Sequence, residues 1–157
     1  MCFMGKRKHM HILETKILIK ASLEEVWAFF SSPANLRKIT PPQMGFQILS
    51  GADRKMYPGQ IISYRVKPIA GIPLTWVTEI THVKELKYFV DEQRFGPYSM
   101  WHHEHHFREV EAGVEMKDIV SYKLPLGILG RLVHFLFVKR MVQQIFDYRS
   151  QIITDFF

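Results

Sequence analysis

The sequence predicts an α+β fold in which a curved, seven-stranded antiparallel sheet wraps a long C-terminal helix, with two short helices after the first strand. Three observations predict it. Runs of period-two alternation, divided by turn residues at hairpin spacing, fill the stretch from Phe46 to Leu124. A capping box and an apolar helical face follow directly on the first such run. Beyond Pro125 the period changes to 3.6, and the apolar face it draws is too broad to leave in water.

The first strand is His11 to Lys20, where Leu13, Thr15, Ile17 and Ile19 face one way and Glu14, Lys16 and Lys20 the other. Ser22-Leu-Glu-Glu25 is the capping box, its hydroxyl and carboxylate each able to satisfy a free backbone donor. Val26, Trp27, Phe29 and Phe30 supply the face of a short helix, and Pro33 interrupts it. Ala34 to Ile39 is the second short helix, stopped by Pro41 and Pro42. Strands are then expected at Phe46 to Leu49, Gly59 to Lys67, Leu74 to Val83, Leu86 to Phe95, Tyr98 to Val110 and Val114 to Leu124. Pro68 to Pro73 connects two of them, Gly96-Pro97 is a strong turn, and Gly113 marks the last one. The final helix runs from about Leu129 to the end, roughly 43 Å at 1.5 Å per residue. Its stripe is Val138, Met141, Ile145, Tyr148, Ile152 and Phe156, widened by Phe135, Val142, Phe146, Ile153 and Phe157. Only a sheet that curves can cover that length.

A chain of 157 residues suits one domain over 1–157, its core beginning near residue 11. The apolar fraction of 47 % excludes disorder, and 12 Phe, 6 Tyr and 3 Trp provide bulky filler. A single cysteine, Cys2, permits no internal disulfide, which agrees with a cytoplasmic location. The opening Met1 to Met10 lacks the apolar run of a secretory signal. The most apolar stretch, Leu124 to Val138, is broken by Pro125, Gly127, Gly130, Arg131 and His134 and falls short of the roughly 20 residues that span a bilayer. Net charge is +6, with a cluster at Lys6, Arg7 and Lys8, but the other cations are scattered among acids. That distribution argues for a solvated surface and against a nucleic-acid partner. No obligate protein partner is indicated.

Particular words add a resemblance. They are Ala21-Ser-Leu-Glu-Glu-Val-Trp27 with Phe29-Phe30, Pro33-Ala-Asn-Leu36, Phe89-Val-Asp-Glu-Gln-Arg94, Gly96-Pro-Tyr98 and Trp101-His-His-Glu-His-His-Phe107. Tyr122-Lys-Leu-Pro-Leu-Gly127 and Phe146-Asp-Tyr-Arg149 complete the set. In this order they resemble the helix-grip superfamily, which includes birch-pollen allergen-like proteins, START lipid-transfer domains, polyketide cyclases and aromatases, and coenzyme Q-binding proteins. More narrowly, the chain is similar to the bacterial SRPBCC ligand-binding branch. The match covers about Ile12 to Arg149. The resemblance implies a cavity between sheet and long helix that takes lipids, sterols or polyketides, and leaves the reaction open because this fold hosts carriers and enzymes alike.

Chemistry concentrates in Met100 to Phe107. On a strand, Trp101, His103, His105 and Phe107 share one face and His102, Glu104, His106 and Arg108 the other. The two aromatics place the first set inward, so His103 and His105 line the cavity as hydrogen-bonding anchors or as satisfied core imidazoles. Trp76 and Thr78 share a face with Ile80, and Tyr64 precedes them, so Tyr64, Trp76 and Thr78 join the expected ligand-binding set. From the helix, Met141 and Ile145 are added, with Phe135 and Phe146 completing a lid.

His at i and i+2 could ligate zinc with a third donor from the next strand, Glu92, or Asp91 and Gln93, as register decides. Because only two donors share the predicted inward face, no metal and no cofactor are expected. A carboxylate of Asp91 or Glu92 could also orient a histidine, although ordinary hairpin charges explain them as well. No nucleophile elbow or phosphate cradle occurs. The sequence therefore favours binding or carriage of a hydrophobic small molecule, with no catalytic residue assigned. The alternative is a polyketide cyclase or dehydratase using His103 or His105 as general acid or base. A third reading is transient membrane contact through Lys6 to Lys8 and Leu126 to Val138.

Overall fold

The fold is set by one sheet and the helix that crosses it. The structure is a computed structural model and describes residues 10–67 and 71–157. Cys2, the Lys6 to Lys8 cluster and residues 68–70 of the Pro68 to Pro73 connection lie outside the described residues. The strands are β1 (His11–Ile19), β2 (Gln47–Ser50), β3 (Gln60–Val66), β4 (Leu74–Lys84), β5 (Tyr88–Phe95), β6 (Met100–Val110) and β7 (Gly113–Lys123). They form one antiparallel sheet in the order β1-β7-β6-β5-β4-β3-β2. β2 to β7 are a meander, and β1 closes onto β7. Register shifts on β4 against β5, at Val77/Thr78 and Ile80/His82, bend the sheet as bulges do.

Local chemistry positions the remaining elements. α1 (Leu23–Phe30) starts at Ser22, whose hydroxyl accepts from the Glu25 backbone N–H while the Glu25 carboxylate accepts from the Ser22 backbone N–H. Its Val26, Trp27, Phe29 and Phe30 are buried. The second expected short helix is a 3₁₀ segment, Pro33–Ile39, followed by an unforeseen 3₁₀ turn, Pro42–Met44. Leu86 falls in the β4–β5 turn, not in a strand, with φ of 58°. The Gly96-Pro97 connection is braced by Gln93, whose side chain donates to the Tyr98 carbonyl (2.7 Å) and accepts from the Tyr98 N–H (3.2 Å).

The C-terminal helix extends over 127–156, about 45 Å at 1.5 Å per residue. It is α2 (Gly127–Val133), a π turn (His134–Val138) and α3 (Lys139–Phe156). His134 anchors the turn, its ring stacked on His11 at 3.4 Å and hydrogen-bonded to the Tyr122 hydroxyl at 2.9 Å. The buried stripe of α3 is Val142, Phe146, Arg149 and Ile153, continuing from Val138. This corrects the expected stripe. Met141, Ile145 and Ile152 flank it, and Phe156 is exposed. Phe135, expected in the lid, is 78 % exposed, because the π turn inserts a residue and breaks the phase between α2 and α3.

Apolar packing falls into three clusters, one of them Ile62, Tyr64, Val66 and Ile80 on β3 and β4. Trp27, Phe30, Phe89, Phe107, Met116 and Ile153 form one cluster, and Tyr98, Val120, Tyr122, Val138, Val142 and Phe146 another. Gly113 permits the tight β6–β7 turn that sets these two strands in register: its φ is +132°, and a Cβ there would sit 2.2 Å from the Ile19 carbonyl oxygen. Gly113→Ala is expected to destabilise by about 1–3 kcal/mol in urea unfolding. An unchanged midpoint would show that the turn relaxes freely.

Candidate functional site

Alternation along three neighbouring strands places a charged group in the middle of the greasy concave face. On β6, Trp101 and Phe107 flank His103 and His105, and both histidines are buried. On β7 the inward series is Val114, Met116, Asp118, Val120 and Tyr122, all buried. β5 contributes Asp91 opposite His103, and β7 contributes Asp118 opposite His105. Register thus selects Asp91 for this face, while Glu92 points outward to His102 at 2.9 Å.

The four groups interlock. His103 Nε2 is 3.1 Å from Asp118 Oδ1, and His105 Nε2 is 3.0 Å from Asp91 Oδ2. The second nitrogen of each ring turns to the other acid: His103 Nδ1 lies 3.4 Å from Asp91 Oδ2, and His105 Nδ1 lies 2.8 Å from Asp118 Oδ1. That last contact is too misaligned for a hydrogen bond and leaves a buried nitrogen without a partner. The two imidazoles are 3.7 Å apart, and Phe89 stacks on His105 at 4.1 Å.

Burial opposes charge at every member, and the neighbours decide which members carry it. Burial would raise Asp118, but the charges of His105 and His103 and the hydrogen bond from His103 hold it far below the usual carboxylate range. Asp91 also lies below that range, since His103, His105 and Arg149 outweigh burial. Burial lowers His103, and the charge on His105 adds to that. Burial likewise opposes the charge on His105, yet Asp118 and Asp91 prevail and raise it. These directions favour ionised carboxylates and put positive charge on His105 in preference to His103, with the Arg149 charge also felt at Asp91.

This cluster opens on a cavity of about 200 Å³ between sheet and helix. Tyr64, Trp76, Thr78, Trp101, His103, His105, Met141 and Ile145 all line it. Phe107 shares the face but sits deeper, packed on Trp27 and Phe30 at 5.5 and 5.4 Å, and does not line the cavity. The Tyr64 and Thr78 hydroxyls share a 2.8 Å hydrogen bond, and burial, with the Asp91 charge, pushes the phenol up. Trp76 Nε1 is buried without a partner. Arg149, also lining the cavity, lies 4.9 Å over the Phe146 ring, its buried Nε unpartnered.

Sequence reasoning left Asp118 and Arg149 out. Each had a signal: Asp118 interrupts the inward series of β7, and Arg149 falls at +3 from Phe146 in the helical stripe. The expectation of no metal rested on two inward donors, and the structure adds carboxylates to that face.

The chain has the helix-grip fold. It is similar to the crystal structure of ZhuI aromatase/cyclase from Streptomyces sp. R1128, with a TM-score of 0.72 and 15 % identity over 94 % of this chain and 93 % of that one. It is also similar to a protein from Rhizobium leguminosarum (TM-score 0.67, 12 % identity, 92 % and 94 % covered). Ara h 8.0201 matches with a TM-score of 0.61 and 14 % identity over 92 % and 97 %. No family model matches the chain, and no curated protein sequence does.

Charge compensation inside the cluster has a pH signature. A histidine raised in the fold contributes stability that is complete below about pH 6.5 and lost as pH rises through its folded value. His103, lowered in the fold, adds nothing above about pH 6.5 and costs stability below it. Melting temperature is expected to fall on the alkaline side in the wild type, and His105→Gln should lose that component. The depressed carboxylates act oppositely, stabilising above about pH 3.9 and ceasing to do so as pH drops below it. Asp118→Asn is expected to cost about 3–5 kcal/mol near pH 7, with the gap narrowing in acid. A constant gap across that range would remove charge compensation as the cause.

Proposed function

We propose that the chain binds and carries a hydrophobic small molecule with one acidic end, held between the sheet and α3. The observation that carries this reading is Arg149. Among the described residues no carboxylate lies within ion-pair distance of its guanidinium, although only 9 % of the residue is exposed. A buried cation without a direct partner is costly, and a ligand carboxylate in the cavity would supply one. Aromatic and aliphatic walls from Tyr64, Trp76, Trp101, Met141 and Ile145 suit the rest of the molecule, and the free Trp76 N–H offers a second anchor.

The outer face of α2 supports loading at a membrane. Leu126, Ile128, Leu129, Leu132, Phe135 and Phe137 are exposed, and no acidic residue occurs between Asp118 and Asp147, while Arg131, Lys139 and Arg140 do. An apolar helical face bordered by cations suits an anionic bilayer surface. Leu124 and Val138, which flank this segment in the chain, line the cavity. Among the described residues no helix is long and apolar enough to cross a membrane.

The buried histidine–carboxylate pairs favour a second reading, acid–base catalysis on a polyketide-type chain with His105 oriented by Asp91. Turnover of such a substrate, abolished in Asp91→Asn while binding persists, would establish it over simple carriage.

Arg149→Met is expected to weaken an anthroyloxy-labelled fatty acid by about 1.5–3 kcal/mol, and the corresponding alcohol by far less, in fluorescence titrations. Equal losses for acid and alcohol would reduce Arg149 to packing. In sedimentation with phosphatidylglycerol vesicles, the wild type should pellet and a Phe135→Ser, Phe137→Ser double variant should stay in solution. Equal pelleting of both would remove the α2 face from the loading step.

A further inference from the structure

We propose that Asp91, His103 and His105 form a binding site for a divalent transition-metal ion at the cavity wall, with Asp118 behind them as the carboxylate that orients both imidazoles. The site follows from strand geometry. His103 and His105, two apart on β6, project from the same face, and the β5–β6 register sets Asp91 directly opposite His103. One donor atom from each of the three residues lies within 4.8 Å of the others.

The distances around Asp91 Oδ2 fit shared coordination. His103 Nδ1 is 3.4 Å from that oxygen and His105 Nε2 is 3.0 Å from it. With metal–ligand bonds of about 2.1 Å, adjacent donors stand about 3.0 Å apart at a right angle and about 3.4 Å apart at the tetrahedral angle. Hydrogen bonding alone accounts for the cluster less well. Asp91 Oδ2 faces two imidazole nitrogens and hydrogen-bonds only that of His105, while His105 Nδ1 is buried with no hydrogen bond.

Asp118 completes the argument from the opposite side. Its Oδ1 meets the remaining nitrogen of each ring, His103 Nε2 at 3.1 Å and His105 Nδ1 at 2.8 Å. If Nδ1 of His103 and Nε2 of His105 ligate, the far nitrogens carry the protons: that of His103 donates to Asp118, and that of His105 lies against the same oxygen. A carboxylate in that position fixes tautomer and ring orientation at metal-bound histidines. Asp91, His103 and His105 line the cavity and Asp118 does not, so the open coordination positions face the space a ligand would occupy.

Two imidazoles and one carboxylate suit Zn²⁺, Fe²⁺ or Co²⁺ and are a poor set for Ca²⁺ or Mg²⁺, which take oxygen. An ion held by three protein ligands keeps positions for water or for a ligand oxygen. The inference stands apart from the carrier reading, because the metal is measured with no organic ligand added.

The test is titration of the chelator-stripped full chain with Co²⁺, followed by its visible d–d absorption, with Zn²⁺ calorimetry alongside. One ion per chain is expected. Asp91→Asn, which preserves shape, and His105→Gln should each weaken binding at least 100-fold, and Asp118→Asn by about 10–100-fold. His102→Gln and Glu92→Gln, on the outer face, should leave it unchanged. Circular dichroism reports whether each variant folds, and the wild-type titration is decisive if a variant does not. No stoichiometric ion on the folded wild type would overturn the proposal. So would binding that survives Asp91→Asn and His105→Gln but disappears with His102 and Glu92.

Discussion

The concave face of the sheet depends on the mutual compensation of Asp91, His103, His105 and Asp118. An ionised carboxylate in an apolar interior is prohibitive alone, and so is an imidazolium. Here each acid oxygen faces two imidazole nitrogens, at separations of 2.8 to 3.4 Å. These contacts draw together β5, β6 and β7, three neighbouring strands of the sheet. The strands must hold their register, because a slip of one residue would turn every member of the cluster outward and Glu92, Glu104 and His106 inward. Gly113 and the Gln93 brace at the Gly96-Pro97 turn protect that register from either end of β6.

Covering this face has a consequence for the helix. One stripe must bury Val142, Phe146 and Ile153 along the sheet and still bring Arg149 to the charged centre. The π turn at His134–Val138 makes this compatible with the helix start, where Gly130 lies so near Pro125 that a Cβ would meet its carbonyl oxygen at 2.0 Å. The phase break leaves the apolar residues of α2 outside. The same feature therefore places the cation over the cavity and exposes a greasy surface next to it. Cavity, charge and outer patch are three results of one packing problem.

Much of this was legible in the residues. Period-two alternation located all seven strands, with errors confined to ends such as Leu86 and Tyr98, where a turn conformation competes with propensity. The Ser22 to Glu25 capping box located α1 because capping is local chemistry. The inward set on β6 was readable because Trp101 and Phe107 flank the histidines. Of the residues expected at the cavity, Phe107 is packed away from it, since alternation specifies a face and not a position along the strand, and Phe135 is exposed at the π turn. The stripe of α3 was misjudged for a related reason: hydropathy assigns an arginine to solvent, so Arg149 hid the true phase.

By itself, then, the sequence determined the α+β class, the seven strands along the chain and the facing of His103 and His105, all of which follow from local periodicity and turn chemistry. Only the tertiary structure decided which carboxylates meet those histidines, that Arg149 turns inward, and that the face of α2 is left uncovered. Those outcomes depend on contacts between residues distant in sequence, Asp91 with His103 and His105 with Asp118. Pairing of that kind is set by register and by the phase of a helix across a turn, and a single residue's shift in either reverses which side chains are inside.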